Sequence, residues 1–87
     1  MAEFTDQYRV EQIKSCFGLN SFNQFSWEVL MQTVENIERK GYNVNIYKNI
    51  CEISLNGEII HHVQHGQKWI AVFHCIAYFA MKFNNSK

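Results

Sequence analysis

The segment from Ser26 to Gly41 constrains the fold more than any other part of the chain, because it predicts an amphipathic helix with both ends marked. Ser26 is a good N-cap, and Phe25 before it is placed to pack on Leu30. Gly41 can adopt the left-handed backbone conformation that ends many helices. At about 3.6 residues per turn, the apolar side chains share one face. They are Trp27, Leu30, Met31, Val34 and Ile37. Such a face needs another layer to pack against.

Two more helices are predicted, one on each side of the central part of the chain. The first runs from about Thr5 to Phe17 and ends at Gly18. We expect its buried side chains to be Tyr8, Val10, Ile13 and Phe17. The last, Lys68 to Phe83, is apolar almost all round and is too short to be a membrane span. It must be covered on more than one side, by the first helix or by another protein, and a homodimer is one such arrangement.

Between the second and last helices the apolar residues alternate, which predicts three strands joined by turns at Lys48-Asn49 and Asn56-Gly57. Two-residue turns place Tyr47 opposite Ile50 and Leu55 opposite Glu58. Regular alternation then predicts a core face of Tyr42, Val44, Ile46, Cys51, Ile53, Leu55 and Ile60. The half-polar face would hold Asn43, Asn45, Tyr47, Ile50, Glu52, Ser54, Ile59, His61 and Val63. The sequence therefore predicts an α+β fold, with a three-stranded antiparallel meander packed against two or three helices in the order α-α-β-β-β-α.

Length and charge limit the class of protein. The 87 residues predict a single domain over 1–87, and eight basic residues balance eight acidic ones. A balanced charge argues against a strongly basic nucleic-acid binder. Three cysteines without tight spacing, behind a polar and acidic N-terminus, predict a cytoplasmic protein that is not attached to a membrane.

The histidines and cysteines do not form a pattern that predicts catalysis or metal binding. His61 and His62 are neighbours on a strand and should point to opposite faces, so we expect no metal site and no cofactor. The predicted register sets Cys51 opposite His62, but a buried cysteine that packs as a small apolar residue is the more common case. It also sets Glu52 opposite His61, as either an acid/base pair or a plain cross-strand contact. We expect no enzyme, and a small hydrolase using Cys51 or His61 is the least favoured hypothesis.

Three basic residues form the candidate nucleic-acid site. Arg39 and Lys40 end the second helix and Lys48 lies in the first turn, with Tyr42 and Tyr47 near them for base stacking. Solvated charges at a helix end explain the same residues, and we favour that interpretation.

Part of the chain resembles a known group of proteins. The residues that carry the resemblance are Ser26, Trp27, Leu30, Met31, Val34, Glu35, Ile37, Glu38, Gly41, Tyr42 and Val44, followed by a hairpin and the helix segment from Lys68 to Phe73. Over roughly Phe25 to Phe83 the sequence is similar to small uncharacterised phage and prophage proteins of helix-hairpin-helix sandwich type. It departs from them at Gln32, where members often have proline. Mobile-element proteins of this size that lack catalytic motifs frequently antagonise host defence, and anti-CRISPR proteins are among them. The resemblance therefore implies that the protein acts in the cytoplasm of a bacterial host.

The leading hypothesis from this resemblance is a non-enzymatic phage-type inhibitor that binds a host defence effector, such as a CRISPR nuclease. The predicted contacts are Tyr47, Glu52, Ile59 and His61, with the open side of the last helix. The alternative is a small nucleic-acid-binding or regulatory accessory protein of a mobile element, acting through Arg39, Lys40 and Lys48.

Overall fold

A computed structural model describes residues 6–86 and confirms the predicted α+β fold and element order. The helices are α1 (Gln7–Phe17), α2 (Trp27–Arg39) and α3 (Lys68–Asn85), and the strands are β1 (Asn43–Tyr47), β2 (Ile50–Leu55) and β3 (Glu58–Gln64). The strands form an antiparallel sheet in the order β1-β2-β3. Within residues 6–86, no helix has the length and apolar character that crossing a membrane requires.

Both predicted ends of α2 are confirmed. The Ser26 hydroxyl accepts a hydrogen bond from the backbone N–H of Val29 at 3.3 Å, and Gly41 has a φ of 98°. The predicted buried face is wrong at Trp27, whose residue surface is 45% exposed. Thr33 is buried on this helix, because its hydroxyl donates to the Val29 carbonyl at 2.9 Å and leaves no polar group unsatisfied.

The predicted buried side of helix α1 is confirmed at Val10 and Ile13 and is wrong at Tyr8, while Phe17 is half-buried against the core. The Asp6 carboxylate caps its first turn by accepting from the backbone N–H of Arg9, and Gly18 ends it in the left-handed conformation. The buried residues are Val10, Ile13 and Cys16. Tyr8 is 65% exposed, because two residues along a helix correspond to a rotation of about 200° away from this stripe. Thr5, the predicted start, lies outside the described residues.

Helix α3 is the centre of the molecule. It packs on β2, β3 and α2 on one side and on α1 on the other. The amide of Asn84, near its C-terminal end, donates to the Gln12 carbonyl of α1 at 3.1 Å. Helix α1 therefore supplies the additional cover that the apolar circumference of α3 requires.

The pairing of β2 with β3 contains an irregularity between Ile53 and Ser54 that the sequence analysis did not predict. Both turn pairings are confirmed, since Tyr47 lies opposite Ile50 and Leu55 opposite Glu58. Ser54 then pairs with Ile59, whereas Ile53 pairs with His61, so Ile60 is the extra residue of a β-bulge.

The β-bulge reverses the orientation of every later residue of β3 relative to the prediction. Ile60 and His61 both lie on the helix side, where they contact the core. Val63 is buried opposite Cys51, and His62 is on the other face, opposite Glu52. The predicted pairs Glu52 with His61 and Cys51 with His62 are therefore wrong, because one inserted residue exchanges the two faces of a strand.

Candidate functional site

The sheet face opposite the helices, called here the open face, carries the residues that alternate with the buried ones. It has three cross-strand rows, each with one residue per strand. The residues are Asn43, Ser54 and Ile59, then Asn45, Glu52 and His62, then Tyr47, Ile50 and Gln64. Among these residues there is no lysine or arginine, and the only carboxylate is that of Glu52. The open face therefore offers little attraction to phosphate groups.

A hydrogen-bonded cluster lies at the middle of the open face. The Tyr47 hydroxyl donates to Oε2 of Glu52 at 3.2 Å, and Nδ1 of His62 lies 2.7 Å from the same oxygen. The Glu52 side chain is 14% exposed and that of His62 is 49% exposed. We call these three residues the Glu52 cluster.

The hydrogen bonds of the Glu52 cluster determine which atoms of His62 and Tyr47 carry a proton. A carboxylate only accepts hydrogen bonds, so Nδ1 of His62 carries the proton and Nε2 remains for another partner. Partial desolvation and the hydrogen bond to Glu52 raise the pKa of Tyr47 above its usual value, so its phenol stays a neutral donor. The cluster thus presents a fixed set of polar groups beside exposed apolar surface.

Two side chains give the open face exposed apolar surface: Tyr47, whose ring belongs to the Glu52 cluster, and Ile59. Tyr47 is 39% exposed and Ile59 is 54% exposed. Three of the predicted partner-binding residues, Tyr47, Glu52 and Ile59, therefore lie together on the open face. The fourth, His61, was predicted on this face, and that placement is wrong because the β-bulge turns it toward Phe79 of α3, with ring centroids 6.3 Å apart.

His62 and Gln64 are the two residues of the open face that the regular alternation did not predict, and His62 is the one with a titratable side chain. A signal for it existed, because a regular register would expose Val63 and bury the imidazole of His62. That conflict is removed by one extra residue in β3, which is how a β-bulge acts.

The structure does not bring the three predicted nucleic-acid residues together. Arg39 lies 3.7 Å from Glu35 in an ion pair, and the Lys40 ammonium lies over the Phe83 ring, 4.8 Å from its centroid. Lys48 follows the far end of β1, and a five-residue strand separates the ends by roughly 13 Å. These placements favour the interpretation that the three residues are separate charges at a helix end and in a turn over the interpretation that they form one basic surface.

The cysteine and histidine side chains of the helix side are arranged for packing. Cys51 and Cys75 are fully buried. A hydrogen bond with Cys51, followed by burial, raises the pKa of the Cys75 thiol, which is the opposite of what a nucleophile needs. Within the described part of the chain, no group of three or more His, Cys, Asp or Glu side chains is placed to hold a metal ion.

The fold and the open face together define a small α+β domain in which the helices of residues 6–86 cover one side of the sheet. Comparison of the chain with protein-family models, with curated proteins and with solved structures found no match.

Proposed function

We propose that the protein is a non-enzymatic inhibitor that binds another protein through the open face of its sheet. The observation that carries this proposal is the combination of exposed Tyr47 and Ile59 with a central, internally hydrogen-bonded Glu52 cluster and no basic residue on the face. Tyrosine is enriched in protein–protein interfaces, and in antibody paratopes serine and asparagine accompany it and supply adaptable hydrogen bonds.

The size of the open face indicates how a partner would sit on it. Three strands about 4.8 Å apart and about 20 Å long offer roughly 300 Å², whereas a standard interface covers about 800 Å² on each partner. The partner must therefore extend past the face onto an adjoining edge, and β1 and β3 are the two edge strands of the sheet. We expect Tyr47, at the end of β1, to lie near the centre of the contact.

The kind of partner rests on the resemblance to phage proteins. We propose that the partner is a bacterial defence effector and that a CRISPR nuclease is the first candidate to test. In this proposal the protein blocks guide or target engagement by occupying protein surface and performs no chemistry of its own.

The proposal is tested by affinity capture from a bacterial lysate that contains CRISPR effectors, with and without nuclease treatment. We expect one dominant protein that survives nuclease treatment and that, once purified, is inhibited in a DNA-cleavage assay. Capture should be lost with Tyr47→Ala and with Ile59→Glu. Tyr8→Ala is the matched control, since Tyr8 is an exposed tyrosine on α1, away from the sheet.

Two outcomes would contradict the proposal. Capture that is equal for Tyr47→Ala and Tyr8→Ala would exclude the open face. Recovery that disappears on nuclease treatment and declines steeply with salt would instead favour the nucleic-acid hypothesis and Arg39, Lys40 and Lys48.

A further inference from the structure

A cleft of about 350 Å³ lies on the helix side of the sheet, between the β2–β3 hairpin and the last turns of α3. Its aromatic side is built on Phe79, whose ring lies 4.9 Å from that of Tyr42 and 5.9 Å from that of Phe83. Leu55 and Ile60 form its aliphatic side. This volume is at the lower end of the range for small-molecule sites, about 300–1,000 Å³.

The polar lining of the cleft consists of two basic side chains and two hydroxyl groups, those of Tyr42 and Ser86. Lys82 and His61 both line it, and none of the described residues that line it is acidic. Within residues 6–86, Lys82 has no ion pair with a carboxylate. Burial and the nearby Lys82 charge lower the pKa of His61, so the imidazole in the cleft stays neutral more readily than a free one.

The β-bulge builds this arrangement. A regular strand would direct Ile60 toward the cleft and His61 away from it, whereas the bulge directs both to the same side. A hydrogen-bonding ring and an apolar side chain thus line the cleft from adjacent positions, facing Lys82 on α3.

We propose that this cleft binds a small carboxylate with an apolar body, which places its carboxylate between Lys82 and His61 and its body against Phe79. The charge of the carboxylate complements the uncompensated ammonium, and the rings bury the apolar part. This site is on the opposite side of the sheet from the open face, so the proposal is independent of the proposed inhibitor function.

The test is an NMR titration of the full chain with octanoate, with 1-octanol as the uncharged analogue and with sulfate as an anion that lacks an apolar body. We expect saturable shifts for octanoate at Tyr42, His61, Phe79 and Lys82. Octanol should bind at least about tenfold more weakly because it lacks the charge-assisted contact, and sulfate at least about tenfold more weakly because it has no apolar body to bury.

Two lysine variants separate a specific charge contact from a general charge effect. Lys82→Met keeps the apolar stem and should weaken octanoate binding about tenfold. Lys68→Met removes the same charge from the other end of α3, about 21 Å away along the helix, and should leave binding unchanged. Lack of saturation, equal binding of octanol, shifts confined to other residues, or equal effects of the two variants would each overturn the proposal.

Discussion

Replacing Phe79 by leucine tests how the helix side of the molecule is held together. Phe79 is 3% exposed, and four other rings lie around it. Their centroids are 6.2 Å away for Phe17, 4.9 Å for Tyr42, 6.3 Å for His61 and 5.9 Å for Phe83. One side chain thus joins α1, α3, β3 and the residue that leads into β1.

The expected loss follows from these contacts. Each aromatic pair contributes about 0.5–1.5 kcal/mol beyond area burial, and the pairs with Phe17, Tyr42 and Phe83 share one ring, so their sum is not fully additive. Leucine keeps part of the buried volume, so the cavity term is smaller than for alanine. We expect Phe79→Leu to lower the free energy of unfolding by about 2–3 kcal/mol. A chain of this length has roughly 4–13 kcal/mol in total.

Urea denaturation followed by circular dichroism measures this loss, and Phe22→Leu is the matched control. Phe22 is half-buried, and its ring stacks on that of Phe73 at 6.2 Å. We expect the control to lose about 1 kcal/mol or less. A loss below about 1 kcal/mol for Phe79→Leu, or equal losses for the two variants, would refute the central role assigned to this ring.

Three further outcomes follow from the structure. Burial lowers the pKa of His61 and His74, so the unfolded chain takes up protons first as the pH drops below about 6.5 and the free energy of unfolding should fall. When the free energy of unfolding is measured by urea denaturation at pH 8 and at pH 5, the double variant His61→Gln/His74→Gln should lose less of it between the two pH values than the unsubstituted protein. An equal loss in both proteins would contradict this. Cys75 should resist iodoacetamide until the chain unfolds, because its pKa is raised, and rapid labelling of the native protein would disprove it. Gly18→Ala should lower the free energy of unfolding by about 1 kcal/mol, because φ is 65° at this position and alanine adopts a positive φ only with strain. Thermal or urea unfolding measures this loss, and an unchanged stability would show that no strain arises.

Local signals in the sequence were sufficient to predict the order of the elements and the caps and turns that connect them. The Ser26 cap, the Gly41 stop and the Asn56-Gly57 turn act within a few residues, so their effects are visible in the sequence itself. The turns also predicted the first pair of each hairpin correctly.

The features that the sequence did not reveal depend on contacts between distant residues. The β-bulge at Ile60 has no local marker such as glycine, and it is favoured by burying Val63 while exposing His62. Because every side chain after the bulge changes face, a single missed residue altered two of the predicted pairings at the candidate site. Likewise Tyr8 is apolar enough to be buried, but α3 covers only the stripe that contains Val10 and Ile13.

The packing of α1 on α3 determines when the molecule can fold during synthesis. The two residues joined by the Asn84 to Gln12 hydrogen bond are 72 positions apart, so α1 receives its main packing partner only when α3 has been made. Until then the apolar stripe of α1 is exposed, and closing such a long loop carries an entropic cost before any contact is gained. Helix α3 must therefore emerge before α1 is secure, and a ribosome stalled before α3 would present the apolar stripe of α1 to chaperones and proteases.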